Sequence, residues 1–104
     1  MPKPQIIRKN KVQEVDKGIL VVRPYQIEGY DEIGVAHVTK KSDVSDFYPD
    51  NDLLDYVLKG SGTVTLNGEV YTVQEGDLVF IPRGTKFKWS GGVELLAIVT
   101  PQLD

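Results

Sequence analysis

The chain lacks cysteine altogether and contains one histidine, one tryptophan and one methionine among its 104 residues. Without cysteine there is no disulfide framework, no thiolate metal site and no cysteine nucleophile, which fits a reducing compartment. No apolar run approaches the ~18 residues of a membrane-spanning helix, and the first ten residues contain no apolar core of a signal peptide. We therefore expect a cytoplasmic protein that has no membrane partner.

Positive charge is also scarce, since 12 Lys and Arg stand against 15 Asp and Glu and give a net charge of -3. A protein that follows a phosphate backbone needs clustered Lys and Arg, so we expect no nucleic-acid partner. The chain length suits one domain, and a hydrophobic content of 40% suffices for one core. We predict a single domain over residues 1–104, with an N-terminal extension over about 1–17 and a barrel over about 18–100.

Short runs of β-forming residues separated by turn residues dominate the sequence, and no window has a helical period. This pattern predicts an all-β fold. The Asn67-Gly68 dipeptide lies between two alternating runs and predicts a two-residue hairpin. The expected strands cover residues 18–22, 33–39, 53–58, 63–66, 69–73, 78–81, 85–90 and 93–99.

The stretch from Gly76 to Phe87 resembles the second sequence motif of the cupin family. Gly76, Pro82 and Gly84 occupy the motif positions at the right spacings, and Phe87 stands where the family usually has a metal-binding His. The resemblance extends over about residues 53–99 and implies a cupin-type double-stranded β-helix, or jelly-roll, barrel.

The segment that ends at Gly60 is similar in outline to the first cupin motif but lacks the metal ligands of that motif. Counting back from Gly60, which fits the closing glycine, the Glu of the family falls on Leu53, and its two His fall within residues 46–49. Among cupins, both segments resemble the ethanolamine-utilisation protein Q type, which lacks the same His set. The resemblance therefore implies a small cupin without the usual His/His/Glu/His set, and we expect no cofactor.

Strand alternation indicates which side chains point into the barrel. If Phe87 points inward like the His that it replaces, Trp89 does too, and if Leu53 takes the inward Glu position, so does Asp55. A buried carboxylate must be paired, hydrogen-bonded or raised in pKa, and it can bind a cation or move a proton. Asp55 is thus our first catalytic candidate, unless the strand is bulged or the carboxylate is purely structural. The candidate ligand-binding residues are Asp55, Phe87, Trp89, Leu53 and Tyr48, with core filling as the alternative for the two aromatic rings.

His37 is the second catalytic candidate, because an imidazole titrates near neutral pH. A lone His cannot hold a metal and would need carboxylate partners such as Asp46, Asp50 and Asp52. These belong to a segment, residues 43–52, that contains four Asp but lacks the Gly and Glu of a calcium-binding loop. We expect a solvated loop that caps the barrel and predict no metal. The alternative metal ligands are His37, Asp46, Asp50 and Asp52.

Three functions fit these observations. The first is binding of a small polar metabolite in a metal-free barrel. The second is an enzyme, because the resemblance implies a relation to ethanolamine-utilisation protein Q or to metal-dependent isomerases and oxygenases. The third is a non-catalytic structural or assembly module whose barrel is filled by side chains. Small cupins commonly pair, so we also expect a homodimer, in which residues 5–15 could add to the exposed sheet edge of a partner.

Overall fold

The computed structural model describes residues 2–103, which form two antiparallel sheets and a single 3-10 turn at Lys9–Lys11. In chain order the strands are β1 (Val15–Asp16), β2 (Leu20–Tyr25), β3 (Gly34–Lys40), β4 (Val44–Phe47), β5 (Asp52–Lys59), β6 (Ser61–Leu66), β7 (Glu69–Gln74), β8 (Leu78–Ile81), β9 (Lys86–Ser90) and β10 (Glu94–Thr100). One sheet has the order β1-β2-β3-β10-β5-β8, and the other has the order β4-β9-β6-β7. The predicted all-β class is confirmed. Within the described residues, no helix has the length and apolar character needed to cross a membrane.

The predicted hairpin joins β6 to β7. Asn67 and Gly68 both have positive φ, at 49° and 86°, and Leu66 pairs directly with Glu69 across the turn. Positive φ at both central residues is what a type I′ turn requires, and Asn followed by Gly adopts it at the lowest steric cost.

The core lies between the inner faces of the two sheets. Strand β9 illustrates its origin, because Phe87 and Trp89 are 7% and 0% exposed while Lys86 and Lys88 alternate with them on the outer, exposed face. Burying each large apolar side chain stabilises the fold by roughly 1.5–3 kcal/mol. The other buried core residues are Val38, Leu53, Val57, Val64, Val73, Val79, Ile81, Val93 and Leu95.

The acidic segment that we expected to be a loop contains a strand. Val44–Phe47 forms β4 and pairs with β9, from Val44 opposite Trp89 to Phe47 opposite Lys86. The strand lies at the edge of its sheet and buries only Val44, so its sequence has no alternating apolar pattern to reveal it. The prediction of an irregular loop was therefore wrong over these four positions.

The segment before the barrel is held by its own chain. Val15 and Asp16, which we had placed in the extension, form β1 and pair with β2. The Gln5 side chain donates to the Glu28 carbonyl at 3.0 Å and accepts from the Glu28 N–H at 2.9 Å. The expected addition of residues 5–15 to the sheet edge of a partner stays a prediction. The first and last residues of the predicted domain, Met1 and Asp104, lie outside the described residues.

Candidate ligand-binding cavity

A cavity of about 480 Å³ lies between the inner face of the six-stranded sheet and strand β4. Small residues make room for it, because Ala36 pairs with Ala97 and Ala97 pairs with Asp55, in one row across β3, β10 and β5. These are the only two alanines in the sequence, and both line the cavity. Its apolar walls include Val38, Val44, Leu53, Phe87 and Val99.

Asp55 lines this cavity from the middle of β5 and is 4% exposed. The inward orientation that the strand register predicted is the one observed. Burial raises the pKa of its carboxyl to about 6, and the charge of Lys40 and the indole N–H of Trp89 partly oppose that rise. A carboxyl in this setting exchanges its proton close to neutral pH.

Trp89 lies next to Asp55 in the core and does not line the cavity itself. Its indole N–H is near enough to lower the pKa of Asp55 but misses hydrogen-bond geometry. Within residues 2–103 it is the one fully buried side-chain polar atom without a partner. A buried N–H group that donates to no acceptor is rare in protein interiors.

Lys40 is a site residue that the sequence analysis missed. It ends β3 on the same face as Ala36 and Val38, lines the cavity, is 9% exposed, and has its ammonium 5.8 Å from the centre of the Trp89 ring. Burial lowers its pKa, and the carboxylates of Asp55 and Asp46 oppose that effect. The expected strand stopped one residue short of Lys40, although the alternation from Ala36 through Val38 leads directly to it.

Tyr48 and Asp46 bring polar groups to the β4 side of the cavity. The Tyr48 ring lies 6.0 Å from the Phe87 ring, measured between centroids. Burial, followed by the nearby Asp46 carboxylate, raises the pKa of Tyr48 to about 12, so its hydroxyl remains a hydrogen-bond donor at neutral pH. The Asp46 carboxylate accepts the backbone N–H of Phe47 at 2.8 Å.

His37 lies on the opposite face of β3, outside the cavity. Nη1 of Arg23 is 3.1 Å from Nδ1 of His37, and because a guanidinium can only donate, the imidazole proton is assigned to Nε2. The same guanidinium donates to Thr39 at 3.1 Å and to Glu14 at 2.7 Å. The second catalytic candidate is thus part of a surface network and does not meet Asp55.

The alternative metal ligands are not brought together. Asp52 accepts the backbone N–H of Arg83 at 2.8 Å and its guanidinium at 3.1 and 3.2 Å, while Asp50 lies exposed in a turn. His37 and Asp46 lie on different sheets. Over residues 2–103, no group of three or more His, Cys, Asp or Glu side chains is arranged to hold a metal ion.

A metal of the kind that the full cupin ligand set would hold does not fit the residues of this barrel. Two of the expected ligand positions hold Leu53 and Phe87, and both side chains are buried in the apolar core. The carboxylates that do line the cavity, Asp46 and Asp55, share it with the Lys40 side chain. A cationic side chain opposes a divalent cation, and metal ligands must be deprotonated at the working pH.

Comparison with known proteins supports the same fold. The family model described as "Cupin domain" matches residues 50–99. An uncharacterized protein of Aquifex aeolicus (strain VF5) is 40% identical over 62% of this chain and 56% of its own length. The protein named acetate kinase EutQ of Clostridioides difficile (strain 630) is 27% identical over 64% of this chain and 42% of its own length. The chain thus spans about half the length of these curated relatives.

Solved structures align over most of the described chain. The Streptomyces protein PAC13, described as a nucleoside dehydratase, aligns with a TM-score of 0.87 and 19% identity over 98% of this chain and 86% of its own. The EutQ protein of Clostridium difficile aligns with a TM-score of 0.70 and 20% identity over 80% of this chain and 63% of its own. The predicted cupin-type barrel and the resemblance to ethanolamine-utilisation protein Q are confirmed. The segment over residues 50–99 thus matches the cupin domain, and the chain is similar to EutQ over 64% of its length.

Proposed function

We propose that this protein binds a small polar molecule in its barrel cavity, without a metal, through Asp55, Lys40 and Tyr48. The observation that carries the proposal is a buried carboxyl with a pKa of about 6 that faces a cavity of about 480 Å³, beside an unpartnered indole N–H. Burying such a group costs folding free energy, and perturbed groups of this kind concentrate at functional sites. The volume lies within the range of about 300–1,000 Å³ that is common for ligand pockets.

The lining of the cavity supports a polar ligand with little net charge. Lys40 and Tyr48 offer donors, while Asp46 and Asp55 offer acceptors, so positive and negative groups face the same space. A strongly anionic ligand would meet two carboxylates, and a strongly cationic ligand would meet the Lys40 ammonium. The apolar walls would contact a ring or a short aliphatic part of the ligand.

Ligand binding can be tested by following backbone amide resonances during titration with single compounds. The panel includes uridine, which was bound in a structure of the Streptomyces neighbour, together with neutral sugars, zwitterionic amino acids and alkylammonium salts. The proposal expects one class to shift the amides of Ala36, Asp55 and Ala97, and expects Ala97→Leu to abolish the shifts by filling the cavity. Val70→Leu, on an exposed position of β7, is the control for added bulk.

Failure of every compound class to shift the cavity amides, at millimolar concentrations, would contradict binding. That result would favour the structural or assembly module, for which the barrel needs no ligand. The cytoplasmic location remains an expectation from the sequence.

A second candidate is acid–base catalysis in the same cavity, and it is favoured by a specific observation. The pKa of Asp55 is raised to about 6 and that of Lys40 is lowered, which brings a carboxyl and an amine towards the pH range in which both can transfer protons. The acetate kinase activity named for EutQ is not favoured here, because two carboxylates of the cavity would repel a phosphoryl group. The test measures conversion of the compound that binds in the cavity. If Asp55→Asn still binds this compound but no longer converts it, catalysis is distinguished from binding alone.

A further inference from the structure

Lys40 is the one buried lysine of the described chain, residues 2–103, and every other lysine there is exposed. Its backbone is fixed at the end of β3, because Lys40 pairs with Leu20 of β2 and its N–H donates to the Val93 carbonyl at 3.0 Å. The side chain therefore reaches the cavity from a strand held on both sides. Reactive groups on strands are positioned more precisely than reactive groups on loops.

The Lys40 ammonium is buried without an ion pair, because none of the ion pairs within residues 2–103 includes it. The carboxylates of Asp55 and Asp46 line the same cavity and act on it from a greater distance. The Trp89 ring, 5.8 Å away, lies close to the limit of about 6 Å for a cation–π contact. Burial lowers the pKa of Lys40, which favours the uncharged amine with its free lone pair.

We infer that the Lys40 amine binds an aldehyde or a ketone covalently inside the cavity, as a Schiff base. This Schiff base is a specific form of the binding proposed above and rests on that proposal. A carbonyl group is polar but carries no net charge, so neither the carboxylates nor the amine of the cavity repels it. Desolvated lysine amines are the side chains that proteins use to form Schiff bases with carbonyl compounds.

Asp55 is positioned to move the protons of this reaction, because it and Lys40 both lie beside Trp89. The lone pair of the uncharged amine forms a bond to the carbonyl carbon, and the electron pair of the C=O π bond moves to the oxygen. The Asp55 carboxylate takes a proton from the nitrogen and returns it to this oxygen, which gives a neutral carbinolamine. The Asp55 carboxyl then protonates the hydroxyl, water leaves, and the nitrogen lone pair closes the C=N bond.

The charges of the cavity also suit the product. The step leaves a cationic, protonated Schiff base on Lys40 and returns Asp55 to its ionised form. The carboxylates of Asp55 and Asp46 face that cation in a space with apolar walls, where opposite charges attract more strongly than in water. The two carboxylates that would repel an anionic ligand therefore stabilise this adduct.

Reductive trapping on the full chain tests the inference. The protein is incubated at neutral pH with glyceraldehyde or dihydroxyacetone, an aldehyde and a ketone of the same composition, in the presence of sodium cyanoborohydride. Cyanoborohydride reduces the C=N bond to a stable amine, and peptide mass mapping then locates the adduct. We expect Lys40 to be labelled at least about tenfold faster than Lys17, which lines the same cavity but is exposed, because burial favours the reactive uncharged amine.

Two controls separate the cavity from the intrinsic reactivity of lysine. In urea that unfolds the chain, water surrounds every amine, so the faster labelling of Lys40 should disappear. Lys40→Met should lose the fast labelling, while Lys41→Met, at an exposed lysine that pairs with Asp16 at 2.9 Å, should retain it. The comparison of Lys40 with Lys17 is made within the wild-type chain and does not depend on the folding of any variant.

Labelling of Lys40 that is no faster than labelling of Lys17, with both compounds, would overturn the inference. Faster labelling that persists in urea would overturn it as well, since the cavity would not be its cause. If a compound shifts the amides of Ala36 and Ala97 but yields no adduct on Lys40, the cavity binds its ligand without a covalent bond and only the Schiff base is wrong. If no adduct forms and no compound of the wider panel shifts these amides, the proposed binding function fails too.

Discussion

Lys40 and Asp55 approach the same cavity from strands that are separated by β10, and each offsets part of the cost of burying the other. The positive charge of Lys40 lowers the pKa of Asp55, and the negative charge of Asp55 raises the pKa of Lys40. In both residues burial is the larger effect, so the carboxyl titrates above its ordinary range and the amine below it. The Asp55 carboxyl therefore gains or loses its proton near pH 6, beside an amine that burial makes easier to deprotonate.

The first prediction concerns the pH dependence of stability. The carboxyl of Asp55 has a pKa of about 6 in the folded protein and 3.8 as the ordinary value, so the folded state binds more protons between these two pH values. The free energy of unfolding should therefore fall as pH rises from about 4 to 6, by at most about 3 kcal/mol from this group. Urea denaturation of the wild type and Asp55→Asn, compared at each pH, isolates this contribution. If the difference in unfolding free energy between the two proteins stayed constant over this pH range, the burial of the Asp55 carboxyl would be contradicted.

The second prediction concerns the cation beside that carboxyl. In Lys40→Met the positive charge is gone while much of the side-chain volume remains, so the pKa of Asp55 should rise above its value of about 6. The Asp55 carboxyl resonance in carbon-detected NMR measures this pKa directly. Lys41→Met is the control, because Lys41 is exposed and pairs with Asp16 at 2.9 Å. If both substitutions changed the pKa of Asp55 equally, Lys40 would not act on Asp55 from within the cavity.

Much of the fold was predictable because the signals that specify it are local. The hairpin at Asn67-Gly68 depends on the backbone preferences of two residues, and the inward position of Trp89 follows from alternation along one strand. Strand β4 was missed because an edge strand that buries only Val44 resembles a polar loop in sequence.

The cavity itself was not predictable in the same way. It arises because Ala36 and Ala97, far apart in sequence, become neighbours of Asp55 through the pairing of β3 with β10 and of β10 with β5. Only the tertiary register brings these small side chains together. Lys40 was missed for a smaller reason. The predicted strand ended at Thr39, one residue before Lys40, so the Lys40 side chain was not assigned to either face of the strand.

The third prediction contrasts a buried and an exposed valine on neighbouring strands of the smaller sheet. Val64 on β6 is 1% exposed and Val70 on β7 is 63% exposed. Val64→Ala removes packed methyl groups and should lower the free energy of unfolding by about 1–3 kcal/mol, while Val70→Ala should change it by less than about 0.5 kcal/mol. Chemical denaturation at fixed pH measures both values. Similar losses for the two variants would contradict the sheet packing described above.

The last prediction concerns metal. Because Leu53 and Phe87 fill two ligand positions and the Lys40 amine faces the remaining carboxylates, protein purified without chelator should contain well below one transition-metal ion per chain. Elemental mass spectrometry measures that content. Addition of EDTA should shift the midpoint of thermal unfolding by less than about 1 °C, because no bound metal is there to be removed. A metal that binds only the folded state would raise this midpoint, and its removal would lower it. Near-stoichiometric metal, lost together with thermal stability on chelation, would instead require a metal site in this barrel, and the metal-free cavity would have to be abandoned.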